Sequence, residues 1–96
     1  MPFFAVRYTY IDDAGAIDAV RPGHREYLRG LVEAGSLRAS GPFLGVTPAG
    51  ALLLFETGSV AEVERTLADD PFFAAGIVTA TEITPWDPVI GAFAQA

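Results

Sequence analysis

The sequence holds no cysteine, which excludes disulfides and thiolate-bound metal. It holds one histidine, so no multi-histidine metal centre forms within one chain. No apolar run approaches the roughly 20 residues that a membrane-spanning helix needs. Basic residues are scarce: six Lys and Arg stand against twelve Asp and Glu, a formal net charge of −6. A surface of that sign repels phosphate backbones and anionic lipid, so neither nucleic acid nor a membrane is an expected partner. The opening Met1-Pro2-Phe3-Phe4-Ala5-Val6-Arg7 has no basic stretch ahead of a longer apolar run and does not read as a signal peptide. A cytoplasmic protein is expected. Low-complexity tracts and linkers are absent. So are a Gly-x-Ser-x-Gly elbow, a phosphate-binding glycine loop and a dinucleotide fingerprint.

What is present fits one domain, residues 1–96, since domains of about 100–150 residues are the commonest size. Hydrophobic residues make up 51% of the chain, so either the core is rich or a partner covers one face. The elements follow in the order strand, helix, strand, strand, helix, strand. Phe3 to Ile11 is aromatic and β-branched, with Phe4, Val6, Tyr8 and Tyr10 on one side and Phe3, Ala5, Arg7, Thr9 and Ile11 on the other. Asp12-Asp13-Ala14-Gly15 breaks it. A helix is expected from about Asp18 to Ala34, capped by Asp18 or starting later with Pro22 in its first turn. Its stripe is His24, Tyr27, Leu28, Leu31 and Val32, with Arg25, Arg29 and Glu33 off that face. Gly35 supplies a left-handed stop.

Leu37 to Phe43 is the second strand, where Ser40-Gly41-Pro42 suggests a bulge or a sheet edge. After a turn through Thr47-Pro48-Ala49-Gly50, Ala51 to Glu56 is almost continuously apolar and predicts a central strand buried on both faces. Ser59-Val60-Ala61-Glu62 is a capping box opening a helix to Ala68, with Val60, Val63 and Leu67 as its stripe. Pro71 stops regular helix near Asp70, Phe72, Phe73 and Gly76 form a compact turn, and Ile77 to Trp86 is the last strand.

This order is the split βαβ, or ferredoxin-like, α+β arrangement: both helices on one face of a four-stranded antiparallel sheet. The other face is left bare and is apolar enough to need cover, which predicts a homodimer packed sheet to sheet. The alternative is a monomer that tolerates a sparse back face.

With that pattern laid out, the chain resembles the YCII-related family. The residues that carry the resemblance are Arg21-Pro22-Gly23-His24 with Tyr27-Leu28, Gly35-Ser36-Leu37, Ser40-Gly41-Pro42, Leu54-Phe55-Glu56, Asp70-Pro71-Phe72, Gly76-Ile77-Val78 and Ile83-Thr84-Pro85-Trp86. The resemblance implies a dimeric α/β barrel with a small-molecule pocket beside a histidine–aspartate pair, matched here by His24 and Asp70. Relatives of this architecture include dehydrochlorinating enzymes and muconolactone isomerase-like proteins, which brings proton-transfer chemistry by analogy alone.

His24 lies one turn before Leu28, so it points toward the sheet. Near a helix start the dipole disfavours imidazolium and a carboxylate neighbour favours it; the two together poise a general base. The competing reading is a core histidine bonded to backbone. Asp70 either orients His24 or caps the Phe72-Phe73 turn. Arg21 is a candidate for holding a substrate carboxylate, and Ser40, Gly41 and Pro42 for lining the pocket, or only for bending the strand. Arg7, if buried, needs a partner such as Glu56 or Glu82. Tyr8, Tyr10 and Trp86 read mainly as core or interface bulk. No metal and no cofactor are expected. The readings in play are an enzyme of the lyase, isomerase or dehalogenase type acting on a cyclic or carbonyl-containing molecule, a non-catalytic binding or accessory protein, and a structural dimerisation module.

Overall fold

A computed structural model describes residues 1–94. Strand β1 (Phe3–Tyr10) leads to helix α1 (Ala14–Ala34), then to β2 (Leu37–Pro42) and β3 (Gly50–Glu56). Helices α2 (Val60–Ala68) and α3 (Pro71–Ala74) follow, and β4 (Val78–Trp86) closes the sheet. The four strands lie in the order β2-β3-β1-β4, every neighbour antiparallel. This is the ferredoxin-like α+β fold expected from the order of elements, with one single-turn helix added.

Register sorts the side chains. Phe4 stands opposite Phe55, Val6 opposite Leu53 and Tyr8 opposite Ala51, so these six share a face. That face is closed by Ile17 and Leu28 from α1, Val63 and Leu67 from α2, and Phe72 from α3, forming the buried core. Burying each large side chain there contributes about 1.5–3 kcal/mol.

Helix α1 starts earlier than either expected start. Asp13 is its cap, accepting the Ala16 N–H at 3.0 Å, and Asp18 lies within the helix. Pro22 is then interior, and its missing N–H leaves the Asp18 carbonyl without its usual i+4 donor. The far end matches expectation: Gly35 has φ 88°, and the N–H groups of Gly35 and Ser36 close onto Val32 and Leu31 carbonyls. In α2 the Ser59 hydroxyl accepts the Glu62 N–H at 3.2 Å, and the Glu62 carboxylate accepts the Gly58 N–H at 2.8 Å.

Two sequence expectations need correction. Strand β3 is central but not buried throughout: Leu52 is 46% exposed, because it faces the side that no helix covers. Val60, at the first position of α2, lies 38% exposed outside the Val63–Leu67 contact. Of the two readings of Ser40-Gly41-Pro42, the sheet edge is the one found: β2 is the edge strand, and its register shift falls between Leu37 and Ala39, upstream of Gly41-Pro42. Arg7 is exposed and needs no carboxylate; its guanidinium lies 5.0 Å from the Phe43 ring, and Glu56 pairs with Arg38 instead. Among the described residues no helix is long and apolar enough to cross a membrane.

One glycine is dictated by space. A Cβ at Gly50 would sit 2.1 Å from the Tyr8 carbonyl oxygen, so β1 and β3 pair at this point only because no side chain intervenes.

Candidate active site

Helices α1 and α3 meet over one end of the sheet, and the site lies where they meet. Asp70 caps α3: with Pro71 in the first turn, its carboxylate turns back and its Oδ1 accepts the Phe72 N–H at 3.0 Å. The same carboxylate reaches α1, where His24 Nδ1 lies 2.8 Å from Oδ1 and 2.9 Å from Oδ2. From β1 the Tyr8 hydroxyl donates to Oδ2 at 3.0 Å. Asp70 is wholly buried. A carboxylate in that position requires donors, and it has three, from three separate elements.

The arrangement assigns roles to the imidazole nitrogens. The carboxylate accepts from Tyr8 and Phe72, so Nδ1 contributes a third N–H to it. Nε2 has no hydrogen-bond partner among the described residues. No buried side-chain nitrogen or oxygen there lacks a partner, so Nε2 is open to solvent. The ring is fixed by stacking on Phe72, centroids 3.9 Å apart and planes within 6°. Asp70-Pro71-Phe72 thus supplies both the hydrogen-bond partner and the platform for one histidine.

His24 lines a cavity of about 360 Å³, together with Leu28 and Val32 and three arginines of α1, Leu37 and Ser40-Gly41-Pro42 of β2, Tyr10 and Ala51 of the sheet, and Phe72. Pockets that bind small ligands run from about 300 to 1,000 Å³. This one suits a small molecule.

The structure therefore brings together most of the expected site residues. His24, Arg21, Ser40, Gly41 and Pro42 all line the cavity, and Asp70 sits behind His24. Arg21 is engaged, forming an ion pair with Asp18 on the same helix. One expectation for His24 changes. It lies in the middle of α1, because the helix begins at Ala14, so the N-terminal dipole does not act on it. Of its two candidate partners, the Asp70 carboxylate is the one it meets, not backbone.

Three kinds of residue were missed. Tyr8 is a donor to Asp70 as well as core bulk. Phe72 is a wall of the cavity. Arg25 and Arg29, expected off the helix face, line the cavity rim. The spacing Arg21, Arg25, Arg29 alongside His24, Leu28, Val32 was the available signal.

The phenols are tuned by their surroundings. Burial, and then the Asp70 charge, push Tyr8 well above the usual phenol range, which keeps it a donor. Tyr10 is pushed up to about 12, first by burial and then by Asp70, with Arg21 pulling the other way. Burial, then Asp69 and Asp70, also raise Tyr27, whose hydroxyl donates to the Thr66 carbonyl at 2.7 Å. Among the described residues no group of three or more His, Cys, Asp or Glu side chains comes together as a metal site would require.

Residues 1–87 match the family model of the YCII-related domain. The chain belongs to the YCII-related family. Among solved structures, this YCII-related protein is similar to 5-chloro-2-hydroxyhydroquinone dehydrochlorinase from Burkholderia phenoliruptrix AC1100, in its complex with 2,5-dihydroxybenzoquinone. The TM-score is 0.77 at 25% identity, over 88% of this chain and 93% of that one. It is similar in fold to muconolactone isomerase, with a TM-score of 0.67 at 16% identity over 100% of this chain and 98% of that one. An antibiotic biosynthesis monooxygenase gives a TM-score of 0.58 at 18% identity over 94% of this chain and 100% of that one. No curated protein matches the sequence.

Proposed function

We propose that this YCII-related protein is an enzyme that moves a proton on a small, oxygen-bearing organic ring, with His24 as the general base and acid. Asp70 orients it. The observation that carries the reading is the state of one imidazole: Nδ1 tied to a buried carboxylate at 2.8 Å, Nε2 without a protein partner, and the residue on the wall of a cavity of about 360 Å³. An Nδ1–H donated to Asp70 leaves the Nε2 lone pair ready to accept a proton.

Two outcomes follow from the same first step. Nε2 takes a proton from a C–H or O–H of the ring, and the electron pair left behind enters the conjugated system. In a keto tautomer, where the chlorine sits on a tetrahedral ring carbon, that pair expels chloride, so that the ring loses a proton to His24 and a chloride to solvent; an aromatic chlorophenol reaches that tautomer by first taking a proton at its chlorine-bearing carbon. Otherwise the imidazolium returns the proton at another carbon, which isomerises the ring. The likeness at 25% identity to a dehydrochlorinase bound to a dihydroxyquinone supports the eliminating form.

The test is chloride release from 5-chloro-2-hydroxyhydroquinone, together with a panel of halogenated and unhalogenated ring substrates. His24→Gln lowers kcat by about 10²–10⁴, the usual worth of general acid–base catalysis. A variant with full turnover ends the proposal. Binding of 2,5-dihydroxybenzoquinone without turnover of any substrate makes the protein a non-catalytic receptor using the same cavity.

The working unit in this reading is a homodimer closed over the bare sheet face. Leu52 and Trp86 are each 46% exposed there, beside a hollow of about 500 Å³ lined by Ala5, Phe43, Leu52, Leu54 and Trp86 among others.

A further inference from the structure

The sequence has no lysine, and its six cations are all arginines in a chain of net charge −6. Three of the six, Arg21, Arg25 and Arg29, line the cavity that His24 opens into, and no acidic residue lines it. Arg21 is paired with Asp18 at the surface. Arg25 and Arg29 have no carboxylate within 4 Å among the described residues, although Glu26 and Glu33 share the outer side of the same helix. Their spacing has a cost. Like charges four apart on a helix repel by about 0.2–0.5 kcal/mol, and this helix carries the pattern twice in succession. An anion between the guanidinium groups removes that cost and gains charge-assisted, bidentate hydrogen bonds. Elsewhere the chain's net charge repels anions, so this wall is where one is attracted. The rest of the lining is apolar or aromatic, with the Phe72 and Tyr10 rings 5.2 Å apart.

We propose that Arg25 and Arg29 make the cavity selective for small planar organic anions, the charged group held at the α1 rim and the ring turned toward His24. This rests on the reading of the cavity as a substrate site and narrows its substrate class. It also shifts anion recognition from Arg21, which already has a partner, to its two neighbours along the helix.

The test compares two probes that differ in charge and little else, 2,5-dihydroxybenzoate and 2,5-dihydroxybenzamide. Affinity is read by calorimetry and by the ring proton resonances of His24, which need no assignment because the chain has one histidine. The wild type binds the carboxylate at least tenfold more tightly than the amide, and raising the salt weakens only the carboxylate. Arg25→Gln and Arg29→Gln each bring the ratio toward one and leave the amide affinity in place. Arg65→Gln, which removes an equal charge from α2, preserves the ratio. Equal binding of the two probes, with His24 resonances moving for both, overturns the anion selectivity and leaves the cavity reading standing. Resonances that move for neither probe overturn both. Full turnover in His24→Gln alongside a tenfold preference for the carboxylate sinks the general base and leaves the anion site intact.

Discussion

Asp70 shows how one residue can serve two requirements at once. As a cap it satisfies the Phe72 N–H, and as an orienting group it fixes the His24 tautomer; the buried carboxylate does both because it has two oxygens and four acceptor directions. Tyr8 completes it. Tyr8→Phe deletes one donor to a buried carboxylate, and hydrogen bonds to charged groups are worth about 1.5–3 kcal/mol. Urea denaturation should show a loss of that size, with a smaller fall in kcat than His24→Gln causes, since Tyr8 acts through Asp70. The phenols also set an alkaline limit. Tyr10 ionises near pH 12 in the folded protein and near 10 in the unfolded chain, so unfolding releases its proton more readily. Its contribution is therefore complete below about pH 10 and is lost as the pH rises from about 10 to about 12, with Tyr8 acting in the same direction. Urea midpoints measured across that window should fall, and Tyr10→Phe should flatten part of the slope.

At the scale of elements, the pairing of β1 with β3 supports the site from beneath. Tyr8 is held by strands that approach closely at Gly50. Gly50→Ala forces its Cβ against the Tyr8 carbonyl oxygen and should cost about 1–3 kcal/mol, the usual range for overpacking. Thermal melts would show the loss, and displaced His24 resonances would show that it reaches the cavity. Most elements were legible from short-range signals: alternation in β1, the serine and glutamate of α2, the glycine that ends α1. The start of α1 was not, because two aspartates compete for the cap and the helix tolerates Pro22 inside it. The α3 turn was too short for periodicity to register, though Asp70-Pro71 carries a capping signature. For the candidate site, inward spacing placed His24 and family resemblance placed Asp70. The contacts of Tyr8 and Phe72 depend on strands and helices far apart in sequence, which no local pattern encodes.

The whole molecule has one face covered by helices and one bare. The bare face is not uniformly apolar: Arg7 stacks on Phe43, and Arg38 spans Phe3, Phe93 and Glu56. Leu52 stands near its middle with Arg7 and Gly41 across from it on either side. Leu52→Glu places a charge there without touching the core, so a protein that is dimeric in sedimentation should become monomeric with its helical circular dichroism unchanged. Unchanged sedimentation places the subunit contact elsewhere.

The buried carboxylate ties together positions 8, 24 and 72, one from each of three segments that meet nowhere in sequence. It works as a clasp. In the proposed function, mechanical rigidity and proton transfer then hang on the same group, and a substitution at Asp70 strikes both. The fold alone gives reason enough to keep an aspartate there, since three donors would otherwise be left buried and unpaired.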